Sequence, residues 1–172
     1  MAVVVDLLAL HGSPGSGKST IARALSEALR GADLAHGVID LDELSLVHPY
    51  PGRSFPRENL RAIWPNYVAA APNIKVIIPT VFADEHEVDL LRAATPGARL
   101  IICETAAPIP VLKQRVTERE PTDEWAAGLR NWIDVYHARS DHERIRDFKV
   151  TTYPATVNES VRQILHLTGW LA

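Results

Sequence analysis

Apolar residues follow two different spacings along the chain. Short apolar runs predict five strands, at about residues 3–10, 36–41, 74–79, 98–104 and 147–152. Between these runs, apolar residues recur at helical spacing, which predicts helices over roughly residues 18–30, 57–71, 84–94, 108–120, 123–141 and 156–168. Strands and helices that alternate in this way are typical of a parallel sheet with helices on both faces. The pattern therefore predicts an α/β fold.

The length of the chain limits its domain organisation. A chain of 172 residues, 47% of them hydrophobic and 23% charged, can build one well-buried core but not two ordinary domains, so we predict a single domain over residues 1–172. Two segments interrupt the regular alternation: a proline-rich excursion within about residues 43–71 and a charged segment at about residues 113–125. Loops above the carboxyl edge of such a sheet bind and enclose ligands, so we expect the excursion and a short lid at 113–125 to border the functional site.

Charge, cysteine content and hydropathy limit the partners, the chemistry and the location expected of the protein. The formal net charge is −3, from 18 Lys and Arg against 21 Asp and Glu, so overall electrostatics gives no reason to expect binding to nucleic acid or to an anionic membrane. The one cysteine, Cys103, lies in an apolar run and is expected to be a buried thiol rather than a nucleophile. Neither a secretory pattern nor an apolar run of transmembrane length is present in the sequence, and we therefore expect a cytoplasmic protein.

A glycine-rich segment joins the first predicted strand to the first predicted helix. It consists of Gly12, Ser13, Pro14, Gly15, Ser16, Gly17, Lys18, Ser19 and Thr20, and is called the phosphate loop below. Its glycines let the backbone turn N–H groups toward phosphate oxygens, and Lys18 supplies the cation that reaches the β- and γ-phosphates. The hydroxyl of Ser19, at the start of the helix, is suited to bind Mg²⁺. The loop predicts binding of a nucleoside triphosphate; the alternative is a flexible glycine turn.

Two carboxylates, Asp40 and Asp42, occur where the second predicted strand ends. If the strand persists that far, their spacing of two residues puts both side chains on one face, at the edge that carries the phosphate loop. One of them could then hold Mg²⁺ through water while the other accepts a proton from a hydroxyl group. The alternative is that Asp42 caps a helix that begins at Glu43.

The phosphate loop on the first strand, the aspartate pair on the second, and arginines between the fourth and fifth strands together resemble the small P-loop kinases. This family includes shikimate kinase, gluconate kinase, chloramphenicol phosphotransferase and adenylyl-sulfate kinase, and it is similar to the nucleoside monophosphate kinases. The resemblance spans nearly the whole chain and implies a five-stranded parallel sheet of order 2-3-1-4-5. It further implies that Asp42 orients or deprotonates the acceptor hydroxyl and that Asp40 lies on the metal side.

The arginines that carry part of this resemblance are Arg115 and Arg119 in the predicted lid. Because they are four residues apart on a predicted helix, they share a face, and a guanidinium group can both stack on a base and contact a phosphate. The resemblance implies that Arg115 stacks on adenine and that Arg119 moves onto the transferred phosphate. The alternative is a solvated helix face on which Glu118 and Glu120 pair with these arginines.

Further arginines, Arg53, Arg57 and Arg61, lie in the predicted excursion. The last two are four residues apart on one predicted helix face, which suggests that the excursion binds an anionic group of a substrate, with Arg53 and Arg57 as the substrate-binding residues. Ordinary surface arginines are the alternative.

These observations together predict ATP-dependent phosphoryl transfer to a hydroxyl group of a small molecule, with ATP and Mg²⁺ as cofactors. Lys18, Asp42 and Arg119 are the predicted catalytic residues, and Ser19 and Asp40 the predicted metal ligands. The alternative is a regulatory nucleotide-binding protein that hydrolyses ATP slowly or not at all. The sequence names neither the acceptor nor the oligomeric state, monomer or homodimer.

Overall fold

The structure, a computed structural model, describes residues 5–171. A parallel five-stranded sheet lies at its centre, in the order β2-β3-β1-β4-β5. The strands are β1 (Val5–His11), β2 (His36–Val38), β3 (Lys75–Thr80), β4 (Ala98–Ala106) and β5 (Phe148–Thr151). The predicted α/β class and the predicted strand order are both confirmed.

Seven α-helices surround this sheet within residues 5–171. They are α1 (Lys18–Gly31), α2 (Phe55–Ala70), α3 (Glu85–Ala94), α4 (Ile109–Arg119), α5 (Asp123–His137), α6 (His142–Ile145) and α7 (Val157–Thr168). One 3₁₀ turn, Glu43–Ser45, follows β2. None of the helices in this part of the chain is both long enough and apolar enough to cross a membrane.

Two predicted elements differ from the observed ones. The strand predicted over 36–41 ends earlier, because the side chain of Asp40 accepts a hydrogen bond from the Asp42 N–H group (3.0 Å) and turns the chain out of the sheet. The helix predicted over 123–141 is two helices, α5 and α6. Arg139 donates two hydrogen bonds to Asp141, at 3.0 and 2.9 Å, in the short connection between them.

The hydrophobic core fills both faces of the sheet. Along β1, Leu7 and Ala9 pack toward α2 and α3, whereas Leu8 and Leu10 pack toward α1 and α7, as the alternation of side chains along a strand requires. Cys103 belongs to the second of these clusters and is fully buried, and burial raises the pKa of its thiol to about 12. All five strands end at the same edge of the sheet, where the phosphate loop, the Asp40 turn and α4 meet.

Candidate active site

The phosphate loop leaves β1 and turns directly into α1. Gly17 has a positive φ of 93°, a conformation that favours glycine, and it occupies the N-cap position of α1 without any side-chain cap. A Cβ atom on Gly12 would lie 2.4 Å from the carbonyl oxygen of Thr105, so only glycine fits between β1 and β4. The N–H groups of the first turn of α1 therefore remain available to an anion, as sequence analysis predicts.

Lys18 folds back over the loop that contains it. Its Nζ donates hydrogen bonds to the carbonyl oxygens of Gly12 and Ser13, each at 2.9 Å. Burial is the largest influence on its pKa and lowers it to about 8; the positive charge of Arg119 also lowers it, whereas Asp42 and Asp40 oppose the shift. At neutral pH Lys18 carries the positive charge that a triphosphate requires.

Ser19 and Asp40, the two predicted metal ligands, are adjacent in the structure. Ser19 Oγ donates a hydrogen bond to Asp40 Oδ2 at 3.3 Å, and Asp40 Oδ1 accepts the N–H group of Asp42. Hydroxyl and carboxylate oxygens suit Mg²⁺, which usually takes few protein ligands and fills its other positions with water and phosphate oxygens. Residues 5–171 contain no group of three or more His, Cys, Asp or Glu side chains that could enclose a metal ion.

Asp42 lies in the same cleft as Lys18 and Arg119. Only a single 3₁₀ turn follows it, and its side chain makes no capping hydrogen bond, so the structure gives no support to a capping role. Burial, with the negative charge of Asp40, raises the pKa of Asp42 against the opposing effects of Lys18 and Arg119. Asp42 is nevertheless exposed to solvent, so an incoming hydroxyl group can reach its carboxylate, and a carboxylate with a raised pKa is a better proton acceptor than one with the ordinary value.

The two lid arginines differ in their contacts. Arg115 donates hydrogen bonds to the carbonyl oxygens of Gly15 (3.1 Å) and Thr152 (3.0 Å), which joins the phosphate loop to the end of β5. Arg119 pairs with Glu120 at 2.8 Å, as the solvated-face alternative expects, and 60% of its side chain is exposed. Both arginines nevertheless line a cavity of about 310 Å³ beside the loop, and Arg119 also lines the main cleft.

The cleft that Lys18, Asp42 and Arg119 share has a volume of about 470 Å³ and is open above the carboxyl edge of the sheet. The phosphate loop forms one wall of this cleft, and the excursion, α5, the ends of β2 and β3 and the last residue of α4 contribute to the others. Outside the phosphate loop it is lined by Leu41, Asp42, Ser45, Tyr50, Arg53, Pro56, Arg57, Thr80, Val81, Arg119, Leu129 and Trp132. Arg53 and Arg57 are thus brought to the cleft. Arg61 does not line it, but lines an apolar cavity between α2 and α3 that Arg57 also borders.

Behind the phosphate loop lies a buried polar network that sequence analysis did not predict. His11, the last residue of β1, accepts the N–H group of Phe82 at Nδ1 (3.1 Å), so its Nε2 carries the proton and donates to the Tyr136 hydroxyl (3.1 Å). Tyr136 donates in turn to Glu104 Oε1 (3.2 Å), and Arg146 pairs with the other oxygen of Glu104. No spacing in the sequence connects these residues, because they come from β1, β4, α5 and the segment after α6.

This network makes the stability of the fold depend on pH. Burial is the main cause that lowers the pKa of His11, from 6.5 to about 3, so between these values the unfolded chain binds a proton that the folded protein does not. The free energy of unfolding therefore falls as the pH is lowered from 6.5, by up to about 1.4 kcal/mol per pH unit. We expect His11→Gln, which keeps one acceptor and one donor, to remove this part of the slope in urea unfolding experiments. Equal slopes for the two proteins would contradict the prediction.

Comparison with known proteins supports the fold independently. No family model matches the sequence, and no curated protein matches it. Among solved structures, adenylyl-sulfate (APS) kinase from Mycobacterium tuberculosis, in complex with AMPPNP and APS, has a TM-score of 0.67 at 18% identity and covers 95% of this chain and 98% of its own. A gluconokinase from Sinorhizobium meliloti 1021 has a TM-score of 0.61 at 20% identity, covering 98% and 96% of the two chains.

A shikimate kinase from Acinetobacter baumannii, in complex with shikimate, also has a similar structure. Its TM-score is 0.61 at 15% identity, and the match covers 96% of this chain and 94% of that one. The three similar structures are those of small P-loop kinases, and their sheets match the strand order found here. The chain has the fold of the small P-loop kinases.

Proposed function

We propose that the protein transfers the γ-phosphoryl group of ATP to a hydroxyl group of a small molecule. The observation that carries this proposal is the cleft itself, in which the phosphate loop, Lys18, Asp42 and Arg119 surround one space. A site for nucleotide binding and regulation alone requires no carboxylate in the cleft that the phosphate loop lines, whereas Asp42 lies there.

Each group has a role in this reaction. The N–H groups of the phosphate loop and Lys18 bind the β- and γ-phosphates, and Arg115 lines the neighbouring cavity, which is where we place the adenine. The acceptor oxygen forms a bond to the γ-phosphorus as the bond between that phosphorus and the β,γ-bridging oxygen breaks, leaving ADP. Asp42 accepts the proton of the acceptor hydroxyl, and Arg119 stabilises the negative charge on the transferred group.

Ser19 and Asp40 are the residues that would hold Mg²⁺ beside the phosphates. When bound, this ion neutralises charge on the β- and γ-phosphate oxygens. The acceptor occupies the part of the cleft between the excursion and α5, where Arg53 and Arg57 are the proposed substrate-binding residues.

The experiment that tests the proposed function measures ADP release with and without an acceptor. Mg-ATP is incubated with the protein and a panel of hydroxyl compounds that includes sugars, sugar acids, shikimate, nucleosides and chloramphenicol. We expect at least one compound to accelerate ADP release and to be recovered as its phosphate ester. If no compound in the panel does so, while Mg-ATP still binds, a nucleotide-binding regulator becomes the better explanation.

The different contacts of the lid arginines lead to different kinetic effects. Arg115→Ala removes three hydrogen bonds that join the phosphate loop to the end of β5, and we expect mainly a loss of nucleotide affinity. Arg119→Ala is expected to lower kcat more than it raises the KM for ATP, because this side chain meets charge that develops during transfer. The matched control is Arg130→Ala, which removes a half-buried arginine of α5 that donates to Thr117 Oγ1 (2.8 Å) and lines neither the cleft nor the neighbouring cavity. Unchanged kinetics in both lid variants would favour the solvated-face alternative.

A further inference from the structure

A second cavity, with a volume of about 550 Å³, lies at the β5 edge of the sheet. It is formed by residues 104–108, 137–146 and 149–151, which belong to the ends of β4, α5 and β5 and to the segment around α6, and it is called the edge cavity below. None of its lining residues lines the cleft beside the phosphate loop or the cavity in which we place the adenine. Its volume is sufficient for a small molecule, so it is a candidate for a separate binding site.

Basic side chains predominate in the lining of the edge cavity. They are His137, Arg139, His142, Arg146 and Lys149. The two arginines are already neutralised, because Arg139 donates to Asp141 at 3.0 and 2.9 Å and Arg146 pairs with the buried carboxylate of Glu104. These pairs belong to the fold, so the charge available to a ligand must come from the lysine and the two histidines.

Lys149 forms no ion pair with any carboxylate of residues 5–171. It lies on the edge strand β5 and is exposed. The remaining carboxylate of the lining, Glu143, has a side chain that is 85% exposed and lies 3.3 Å from Arg146. The edge cavity is therefore close to electrical balance while both histidines are neutral, and it becomes positive when either of them is protonated.

The two histidines leave hydrogen-bonding capacity unused. His142 stacks on Tyr136 with ring centroids 4.1 Å apart, and its Nε2 donates to the carbonyl oxygen of Tyr136 (2.8 Å). Its Nδ1 therefore carries no proton in the neutral ring, and this nitrogen has no hydrogen-bond partner among residues 5–171. His137 Nε2 is buried without a partner in the same part of the chain. Buried nitrogens of this kind are unfavourable unless a further group satisfies them.

The protonation of His137 depends on the charges around the edge cavity. Burial is the largest cause that lowers its pKa, and His142 and Lys149 lower it further, whereas Glu104 and Asp134 raise it. An anion in the cavity would add negative charge beside the ring and so raise this pKa. Protonation of His137 and binding of an anion therefore favour each other.

We propose that the edge cavity binds a small molecule that carries a phosphate or carboxylate group beside a hydroxyl group, with Lys149 and His137 holding the anionic group. His137 takes up a proton as that group binds, so that its ring and Lys149 both donate hydrogen bonds to the oxyanion. His142 Nδ1 accepts the hydroxyl group, and the apolar surface of Ala107 and Pro108 contacts the rest of the molecule. Both histidine nitrogens are covered by protein in this structure, so small rotations of the rings accompany binding. The site is independent of the proposed reaction.

The first test follows the histidine rings by NMR. The imidazole C–H signals are assigned with His137→Gln and His142→Phe, and their pH titrations are recorded with and without sodium sulfate at constant ionic strength. We expect sulfate to raise the pKa of His137 by about one pH unit. The signal of His166, an exposed histidine of α7 outside the cavity, should not respond to sulfate. An unchanged His137 titration would overturn the proposal.

The affinity for sulfate, read from the His137 signal, supplies the second test. Sulfate keeps its charge between pH 5.5 and 7.5, so any dependence on pH arises from the protein. We expect sulfate to bind about threefold or more tightly at pH 5.5 than at pH 7.5. Equal affinities at the two values of pH would refute proton uptake by His137.

Variants separate the edge cavity from other places where an anion could bind. Lys149→Gln is expected to weaken sulfate binding by about tenfold, because it removes a charged donor but leaves the phosphate loop intact. Its matched control is Arg162→Gln, which removes an exposed cation of α7 and should leave the affinity unchanged. Equal binding in the wild type and in Lys149→Gln would refute the site.

Two further probes identify the class of ligand. Glycerol 2-phosphate and glycerate each carry hydroxyl groups, one beside a phosphate and the other beside a carboxylate, and the tighter of the two indicates which anionic group the site accepts. His142→Phe keeps the ring on Tyr136 but removes the nitrogen. We expect it to weaken binding of the tighter probe by about threefold or more and to leave sulfate binding unchanged. An equal effect on both ligands would refute the role of His142 as the acceptor for a hydroxyl group.

Discussion

Lys18→Ala is expected to abolish measurable phosphoryl transfer. The ammonium group of Lys18 makes charge-assisted hydrogen bonds with phosphate oxygens, so its removal weakens Mg-ATP binding by about 1.5–3 kcal/mol. The loss in turnover is larger, about 10²-fold or more, because negative charge moves onto the bridging oxygen in the transition state. Calorimetric titration with Mg-ATP measures the first effect and the ADP-release assay the second.

A matched control for this variant is Lys113→Ala. Lys113 is a lysine of α4 that pairs with Asp134 at 2.8 Å and does not line the cleft. It should leave both ATP affinity and turnover near the wild-type values. If Lys18→Ala also retains both, the phosphate loop does not bind the triphosphate in the way proposed.

Asp42→Asn is expected to separate nucleotide binding from catalysis. Asparagine keeps the size of the side chain and much of its hydrogen bonding but cannot accept the proton of the acceptor hydroxyl. Phosphorylation of the acceptor should therefore fall by about 10²–10⁴-fold while Mg-ATP affinity persists. The measurements are single-turnover transfer to the identified acceptor and calorimetric titration with Mg-ATP.

The same variant distinguishes catalysis from helix capping. Asparagine caps helices about as well as aspartate, so a capping role predicts unchanged stability and unchanged activity. Glu43→Gln, which removes the neighbouring exposed carboxylate, is the matched control and should retain full activity. A wild-type phosphorylation rate in Asp42→Asn would rule out its role as the base.

The parts of the fold that the sequence predicts are those with strong local patterns. The phosphate loop was predictable residue by residue, because its glycines and Lys18 follow from backbone geometry and phosphate chemistry alone. The strand order came from the resemblance rather than from periodicity. The early end of β2 was not predictable, because apolar residues continue through Leu41. The strand ends where the side chain of Asp40 accepts the N–H group of Asp42 and turns the chain out of the sheet.

The polar contacts that the sequence did not reveal join distant segments of the chain. In the sequence, Glu87 is one of several acidic residues at the start of a predicted helix. Only the packing of α3 against α2 brings its carboxylate into contact with the guanidinium groups of Arg53 and Arg57. The network of His11 and Tyr136 joins residues 125 positions apart. Local periodicity carries no information about such pairs. Arg57 and Arg61, which are four residues apart, both line the apolar cavity between α2 and α3, and of the two only Arg57 also lines the cleft beside the phosphate loop.

The two carbonyl groups that hold Lys18 have an energetic consequence for nucleotide binding. They bond its ammonium group to the beginning of its own loop, at Gly12 and Ser13, and so close a small ring from residue 12 to residue 18. A ring of this kind restricts the backbone and the long lysine side chain before any phosphate arrives, so less conformational entropy remains to be lost on binding. The ammonium group has three N–H donors, so one remains for a phosphate oxygen, and a second phosphate oxygen must compete with these carbonyls. The enthalpy of binding measured by calorimetry is therefore a difference between two sets of hydrogen bonds, and preorganisation contributes to affinity through entropy.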